Sequence, residues 1–208
     1  MNEGPADAWG LQDSNRFVPA SLPLFCFLFP ASLLILPMDL RRFVRDVPDY
    51  PKPGIIFKDI TPLLGNTDAF RSACDAMAHS FSGEGVTHVA AIESRGFLFG
   101  APIAMALQAG VVPIRKRGKL PYDSEFEEYL LEYGTDALEM HIDALTPGAR
   151  VLVVDDVLAT GGTAAAACRL VERLKGSVVG CAFLIRLGFL NGSKKLPDRR
   201  VTSLITYD

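Results

Sequence analysis

The segment Val151–Thr163, VLVVDDVLATGGT, constrains the fold of this chain more than any other part of the sequence. Its first four residues are the apolar residues of a buried strand, and two adjacent carboxylates, Asp155 and Asp156, follow at once. Two threonines and two glycines then precede an alanine-rich helix. Backbone N–H groups in such a loop, together with the positive end of the helix dipole, can bind an anion. The segment therefore predicts a strand, a phosphate-binding loop and a helix, in that order.

This pattern differs from two common nucleotide-binding motifs, GxxxxGK[ST] and GxGxxG. Its acidic pair suits a ligand whose phosphate lies near a diol, because carboxylates accept hydrogen bonds from ribose hydroxyls or hold the waters of a magnesium ion. The alternative is a strand that ends in a solvated acidic turn.

Apolar patterning elsewhere predicts that strands and helices alternate along the chain. Predicted helices are Asp39–Val47, a segment that starts at Thr67, Phe97–Leu107 and Ala164–Leu174. Predicted strands are Val86–Ile92, Val111–Ile114, Arg150–Val154 and Val178–Ile185, and a loop is expected over Asp155–Thr163. The alternation indicates an α/β fold with right-handed βαβ units, a mainly parallel sheet and ligands at the carboxyl ends of the strands. A polar, acidic stretch from Arg117 to Leu131 interrupts it.

Charge and cysteine usage exclude several classes of protein. The 208 residues include 24 acidic and 21 basic side chains, a formal net charge of −3, which argues against a protein that binds nucleic acid through a basic face. The four cysteines form no CxxC pair and do not cluster with the histidines. We therefore expect a reduced, cytoplasmic protein without structural zinc.

Residues 1–37 differ from the rest, since they carry only 4 of the 45 charged side chains. The uncharged run Phe17–Pro37 is nominally long enough for a membrane span, but its interior prolines each cost a helix about 3 kcal/mol. Met1–Arg16 has a net charge of −2, whereas secretory and mitochondrial leaders are positively charged. We expect a non-functional extension, such as one produced by an upstream start codon used in place of Met38, with a membrane anchor or targeting peptide as the alternative. The intact mass of the natively expressed protein tests the start codon.

From Met38 onward the chain resembles the type I phosphoribosyltransferases. VLVVDDVLATGGT is similar to their phosphoribosyl pyrophosphate signature, and the segments FVRDVPDYPKPGIIFKDITPLL, ESRGFLFG, IRKRGKLP and LEYG are similar to the branch that acts on adenine. The resemblance covers residues 38–208 and leaves 1–37 without a counterpart. It implies a mainly parallel central sheet flanked by helices, a small hood, a flexible active-site loop and a homodimer. The implied reaction converts adenine and 5-phospho-α-ribose 1-diphosphate to AMP and diphosphate.

The resemblance also implies roles for particular residues. Asp155 and Asp156 would meet the ribose hydroxyls, and the 5′-phosphate would bind to Ala159, Thr160, Gly161, Gly162 and Thr163. Pyrophosphate would lie near Arg95, Arg115, Lys116 and Lys119. Adenine would contact Ile56, Phe57 and Lys58, the last at a position where the family often has arginine. Magnesium would arrive with the substrate rather than on protein ligands.

Two further roles concern catalysis. Glu132 resembles the carboxylate that handles the purine proton, and Arg95 would assist in catalysis. The polar stretch from Gly118 to Leu131 resembles the mobile loop that closes over the active site in this family, and Tyr133, which follows this stretch, would be a residue of that loop. The residues alone also permit interpretations without a role in the site. The cluster Arg115–Lys119 could be a solvated turn or a nucleic-acid patch, and Glu132 could be one of several solvated acids. The segment Ile55–Lys58 could be a plain apolar strand.

The sequence is also compatible with two other functions. The first is a phosphoribosyltransferase for xanthine or another 6-oxopurine, with the same phosphate loop and a different hood. The second is a non-catalytic regulator that senses phosphoribosyl pyrophosphate. Such regulators usually carry an N-terminal DNA-binding module, and the proline-rich residues 1–37 cannot form a basic helix-turn-helix.

Overall fold

A computed structural model describes residues 38–130 and 134–208, and these form a two-stranded ribbon and a seven-stranded sheet. In the ribbon, β1 (Arg45–Pro48) pairs antiparallel with β2 (Ile56–Asp59), and we call this ribbon the hood. No helix in the described part of the chain is long and apolar enough to cross a lipid bilayer.

Five parallel strands make up most of the larger sheet. Its strands are β3 (His88–Ile92), β4 (Gly110–Lys116), β5 (Ser124–Leu130), β6 (Thr135–His141), β7 (Arg150–Leu158), β8 (Ser177–Leu187) and β9 (Val201–Tyr207). Their order is β5-β6-β4-β3-β7-β8-β9. Strands β4, β3, β7, β8 and β9 run parallel, whereas β5 and β6 form an antiparallel hairpin, which we call the arm, at the β4 edge. The mainly parallel α/β sheet predicted from the sequence is confirmed.

Helices cover both faces of this sheet. They are α1 (Thr61–Leu64), α2 (Thr67–His79), α3 (Gly96–Leu107) and α4 (Gly162–Arg173), with short 3-10 helices at Leu40–Phe43, Gly188–Leu190 and Gly192–Lys195. One face of the sheet is covered by α2 and α3. The large side chains buried there include Met77 of α2, Phe81 just after α2, and Phe99 of α3. Each such side chain stabilises the fold by about 1.5–3 kcal/mol through burial. On the other face, the alanines of α4 are small enough for the helix to pack closely against β7 and β8.

The structure confirms the helix predicted from Thr67 and places α3 within one residue of its prediction. The first begins where the sequence indicates because the Asn66 side chain accepts a hydrogen bond of 2.9 Å from the Ala69 N–H. The helix predicted over Asp39–Val47 is wrong beyond Phe43, since Arg45–Pro48 extends to pair with β2. The expected loop over 118–131 is also wrong in part, because Ser124–Leu130 is the first strand of the arm.

Strand β7 is longer than the sequence indicates. The predicted strand ends at Val154, but parallel pairing with β8 continues through Asp155 opposite Phe183 and Val157 opposite Ile185. The acidic pair therefore lies within a strand, and the connection to α4 is only three residues, 159–161. Because β7 is central in the sheet, the backbone that carries the two carboxylates is fixed by hydrogen bonds between strands and is not part of a loop.

Candidate active site

The carboxyl ends of three adjacent parallel strands bring the charged residues together. Strand β3 leads into Glu93 and Arg95, β4 ends at Lys116, and β7 carries Asp155 and Asp156. Since β3 lies between β4 and β7, side chains at these ends face one another across the middle of the sheet. This is the place where open α/β sheets bind their ligands.

A cavity of about 480 Å³ lies at this edge. Its walls come from the hood, the β3–α3 corner, the ends of β4 and β7, the start of α4, and both strands of the arm. The lining residues are Ile55, Ile56, Phe57, Lys58, Glu93, Ser94, Arg95, Lys116, Tyr129, Asp136, Asp155, Asp156, Val157, Ala159, Thr163 and Leu187. The structure thus brings together predicted residues of the adenine, pyrophosphate, ribose and phosphate subsites in one cavity.

The acidic pair lies on the floor of the cavity. Asp156 is 4% exposed, and its backbone N–H donates a hydrogen bond of 2.8 Å to Asp155 Oδ1. Burial and the neighbouring carboxylate raise the pKa of Asp155 well above its usual value, and burial also raises the pKa of Asp156 against the opposing effect of Arg95. The pair therefore favours a partner that brings positive charge or hydroxyl donors.

Gly96 lets the β3–α3 corner approach this pair. A Cβ atom at this position would lie 2.9 Å from the Val154 carbonyl oxygen and 3.0 Å from Asp155 Oδ1. These distances are shorter than normal contacts, and one of the two atoms belongs to the backbone of a central strand. Only glycine brings the preceding residue, Arg95, this close to β7.

Arg95 connects the acidic pair with the hood. Its Nε lies 3.0 Å from Asp156 Oδ2, and its guanidinium carbon is 5.2 Å from the centre of the Phe57 ring. The first contact is an ion pair with a nearly buried carboxylate, and the second is a cation–π contact. Phe57 in turn meets Tyr50 edge to face at 5.2 Å. Arg95 thus lines the cavity and contacts residues of two of the predicted subsites.

Ion pairs across its two strands hold the hood together. Arg45 binds Asp59, whose pKa is lowered to about 2, chiefly by hydrogen bonds from Thr61 and Arg45. Lys58 Nζ lies 2.7 Å from Asp46 Oδ1 and 4.0 Å from the centre of the Tyr207 ring. The ammonium group of Lys58 is therefore engaged outside the cavity, and its backbone is the part that can meet a ligand.

Glu93 organises the predicted basic cluster. Its carboxylate accepts hydrogen bonds from the Lys119 ammonium group, from the Lys116 N–H at 3.0 Å and from Arg115 Nε at 3.3 Å. Burial opposes ionisation, but these donors outweigh it and lower the pKa of Glu93. In this structure Arg115 and Lys119 thus point at Glu93 rather than at the cavity, while Lys116 and Arg95 line the cavity wall.

A second buried carboxylate, Glu139 in β6, fixes the chain that follows the cluster. One of its oxygens accepts backbone hydrogen bonds from Lys119 at 2.8 Å and from Leu120 at 2.7 Å. Burial raises the pKa of Glu139, but the backbone donors prevail and lower it. The turn after β4 is therefore tied to the arm.

Two glycines shape the predicted phosphate loop. Gly161 has a φ of +77°, and a Cβ atom there would lie within 3.0 Å of backbone atoms of Gly192. A Cβ atom at Gly192 would lie 2.8 Å from the Gly161 nitrogen. The loop therefore packs backbone against backbone on Gly192, the first residue of the last 3-10 helix. Ala159 and Thr163 face the cavity, while Gly162 begins α4 and lines a neighbouring cavity.

Glu132 and Tyr133 lie outside the described residues, so their predicted roles stay predictions. In the sequence they lie between the end of β5 and the start of β6. Tyr129 of β5 and Asp136 of β6 line the cavity. Within residues 38–130 and 134–208, no three His, Cys, Asp or Glu side chains are grouped as ligands for a metal ion.

Sequence reasoning missed three site residues: Glu93, Asp136 and Gly192. Glu93 stands at the end of a buried strand, a position that could have identified it. Asp136 lies within the arm, whose sequence contains no recognised motif, and Gly192 is one glycine in a polar segment, so neither carries a recognisable signal in the sequence.

A phosphate loop at the start of a helix, an acidic pair and cations around one cavity define a phosphoribosyltransferase. Residues 64–207 match the family model of the phosphoribosyl transferase domain. An adenine phosphoribosyltransferase from Myxococcus xanthus is 59% identical over 169 residues, which cover 81% of this chain and 92% of that protein. The chain therefore belongs to the adenine phosphoribosyltransferase family.

Solved structures agree with this assignment. An adenine phosphoribosyltransferase from Rhodothermus marinus is 55% identical, with a TM-score of 0.78 over 81% of this chain and 96% of that one. The enzyme from Saccharomyces cerevisiae, complexed with an imino-altritol bisphosphate and adenine, is 38% identical, with a TM-score of 0.76 over 80% of this chain and 97% of that one.

Proposed function

We propose that the protein transfers a 5-phosphoribosyl group from 5-phospho-α-ribose 1-diphosphate to adenine, giving AMP and diphosphate. One observation carries this proposal: Arg95 contacts both the aromatic hood and the acidic pair within a single cavity that also reaches the phosphate loop. Base, ribose and phosphate subsites therefore adjoin in the order in which these groups are joined in AMP. The activity places the protein in purine salvage.

The residues act mainly by binding and by charge. The 5′-phosphate binds to the loop at the start of α4, where backbone N–H groups and the helix dipole favour an anion. Asp155 and Asp156 accept hydrogen bonds from the ribose hydroxyls and thereby orient C1′. Negative charge grows on the departing diphosphate as its bond to C1′ breaks, and Arg95 and Lys116 stabilise this charge. Arg115 and Lys119, which bind Glu93 in this structure, would have to turn from this carboxylate to contact the diphosphate.

The purine subsite is formed by Ile56, Phe57 and Lys58. Phe57 offers an aromatic face to the flat base, and the backbone groups of Ile56 and Lys58 read its edge. The ion pair between Lys58 and Asp46 supports the backbone role, because it leaves the lysine side chain engaged elsewhere. Lysine in place of the family's frequent arginine then leaves adenine preference unchanged. The bound adenine in the yeast relative supports this choice of base.

Magnesium enters this proposal with the substrate. The acidic pair fits an ion held through its waters, since both carboxyl groups have raised pKa values and would gain from nearby positive charge. The ion would neutralise part of the charge on the departing diphosphate.

Glu132 handles the proton of the purine as its nitrogen attacks C1′, and Tyr133 moves with the loop that closes over the site. Exclusion of water by this loop protects the reactive ribosyl group from hydrolysis. The catalytic domain in this proposal is residues 38–208.

Purified protein with Mg²⁺ and phosphoribosyl pyrophosphate is expected to convert adenine to AMP, and hypoxanthine, guanine or xanthine far more slowly. Liquid chromatography of the products with each base measures this. Conversion of an oxopurine but not adenine would establish the 6-oxopurine alternative, and no conversion of any base would favour the sensor.

Glu132→Ala is expected to lower turnover by about 10²–10⁴-fold, the usual contribution of a general acid or base. Full turnover by Glu132→Ala would remove Glu132 from the mechanism.

We also propose a cytoplasmic location. Cys74, Cys168 and Cys181 are free and buried, and the sulfur atoms of Cys168 and Cys181 lie 3.6 Å apart without a bond between them. Two unbonded thiols this close favour a reducing compartment.

A homodimer is the proposed assembly, with the outer face of α3 in its interface. Met105 is 81% exposed and Leu98 is 46% exposed, and Val111 at the start of β4 is 48% exposed. Leu98 and Met105 are seven residues apart and therefore lie on one face of α3, and exposed apolar faces of this kind are typical of contact surfaces. We expect the protein to sediment at twice its 22.5 kDa chain mass, and Met105→Glu to shift it toward the monomer, because the interface would bury the new charge.

Analytical ultracentrifugation at several concentrations measures both outcomes. Ile142→Glu is the matched control, since Ile142 is an exposed apolar residue, 45% accessible, at the end of the arm. A monomeric wild type, or a Met105→Glu dimer as stable as the wild-type dimer, would contradict the assignment.

A further inference from the structure

Asp136 places a carboxylate in a cavity that must accept a highly anionic substrate. It is the second residue of β6, its side chain is 24% exposed, and it lines the cavity opposite the end of β4. Its Oδ2 lies 3.1 Å from Lys116 Nζ. A negative charge at this position opposes binding of a diphosphate, so its presence calls for an explanation.

The carboxylate is held in place from three directions. Asp136 Oδ1 accepts a hydrogen bond of 2.8 Å from the Ala137 N–H, and Oδ2 accepts one of 3.3 Å from the Tyr129 hydroxyl. Tyr129 is only 7% exposed, and its hydroxyl has a second hydrogen-bond partner in Thr163 of the phosphate loop. Asp136 is thus a fixed group, connected through Tyr129 to the start of α4.

Lys116 is the more exposed member of the ion pair. Its side chain is 54% exposed and extends into the cavity on a flexible stem. The hydrogen bond and charge of Asp136 raise the pKa of Lys116, with a smaller effect of Glu93 in the same direction. Burial opposes ionisation of Asp136, but the Ala137 N–H and Lys116 lower the pKa of this carboxyl group. Both groups are therefore charged at neutral pH.

We propose that Asp136 is a positioning residue that competes with pyrophosphate for Lys116. The inference rests on the proposed function, which supplies the pyrophosphate. Asp136 keeps the ammonium group directed into the cavity between turnovers, so that it meets the incoming substrate. After the transfer step the carboxylate draws Lys116 back, which weakens the hold on the product and speeds its release.

Asp136→Asn tests this role because asparagine keeps the shape and can keep the hydrogen bonds to Ala137 and Tyr129. We expect the dissociation constant of magnesium pyrophosphate to fall about tenfold, the size of one unit charge removed at close range from a multiply charged ligand in a partly exposed site. The difference should shrink in high salt, because salt screens exposed charges. Isothermal titration calorimetry measures the binding, and turnover is expected to fall where pyrophosphate release limits the rate.

Two controls separate this role from a general effect of charge. Asp143→Asn removes an exposed carboxylate just beyond β6 and is expected to leave pyrophosphate binding within twofold of the wild type. In a Lys116→Met background, Asp136→Asn is expected to change binding by less than twofold, because the competition needs the ammonium group.

Unchanged or weaker pyrophosphate binding by Asp136→Asn would overturn the inference, as would a tenfold effect that persists without Lys116. The binding measurements need no turnover. A protein that converts no purine base but shows the expected binding differences would contradict the proposed reaction and leave the role of Asp136 intact.

Discussion

Replacing Gly161 with alanine is expected to lower kcat/KM by at least about a hundredfold while the chain still folds, since misplacing a binding group by 1 Å can cost this much. Gly161 combines a φ of +77° with close backbone contact to Gly192. The positive φ costs a residue with a Cβ atom about 1–2 kcal/mol. The contact is the larger effect, because neither backbone can yield without moving the loop that binds the 5′-phosphate. Steady-state kinetics with varied phosphoribosyl pyrophosphate measures the loss.

Gly83→Ala is the matched control for the backbone strain. Gly83 has a φ of +80°, nearly that of Gly161, but a Cβ atom there would have no neighbour within 4 Å. We expect it to lose about 1–2 kcal/mol of stability and no activity. Gly192→Ala isolates the contact instead, because Gly192 lacks a positive φ, and it should reproduce the loss seen for Gly161→Ala. Full activity in Gly192→Ala would show that this contact does not shape the loop.

Glu93→Gln is expected to lower both stability and kcat/KM. The variant keeps an acceptor but loses the charge that holds Lys119 and Arg115 beside the Lys116 backbone. Hydrogen bonds to a charged partner contribute about 1.5–3 kcal/mol each in a favourable setting, and the partial exposure of the lysine and arginine places the expected loss near the lower end. Urea unfolding measures the loss of stability. Steady-state kinetics with varied phosphoribosyl pyrophosphate measures the loss of kcat/KM that we expect when Lys119 and Arg115 are no longer held by Glu93.

The pH dependence of this difference has a definite sign. Because the pKa of Glu93 is lowered in the folded protein, its stabilisation is complete above the ordinary glutamate value of 4.5 and is lost as the pH falls below it. The wild type and Glu93→Gln should therefore differ by a constant amount between pH 6 and pH 8 and converge in acid. Glu128→Gln, which removes an exposed carboxylate of the arm, should change stability by less than about 0.5 kcal/mol. An equal loss in both variants would mean that the location of the charge does not matter.

Local sequence patterns predicted the elements whose partners lie nearby in the chain. The order of β7, the phosphate loop and α4 follows from apolar residues, glycines and alanines that are adjacent in sequence. The errors arise where pairing partners are distant. Arg45–Pro48 has the spacing of a helix but pairs with β2, and Asp155 reads as a loop residue but pairs with β8. Strand formation depends on the neighbouring strand more than on intrinsic preference.

The residues of the candidate site differ in the same way in how far the sequence predicts them. The residues of its motifs could be assigned roles from the sequence, whereas the groups that orient them could not. Glu93 meets Lys119 across 26 positions of sequence, and Gly161 meets Gly192 across 31. Nothing in the composition near either residue reports such a distant partner. Arg115 and Lys119 show the same limit, because their turn toward Glu93 follows from packing rather than from the spacing of the basic residues.

The backbone contact between Gly161 and Gly192 restricts how related sequences can diverge. Every other genetically encoded amino acid has a Cβ atom or a ring, so neither glycine has a conservative replacement while the other backbone keeps its place. A change at one position becomes tolerable only after the opposing segment has shifted. We therefore expect the two positions to change together, and Gly192, which lies outside the phosphate-binding motif, to be as restricted in sequence as the motif itself.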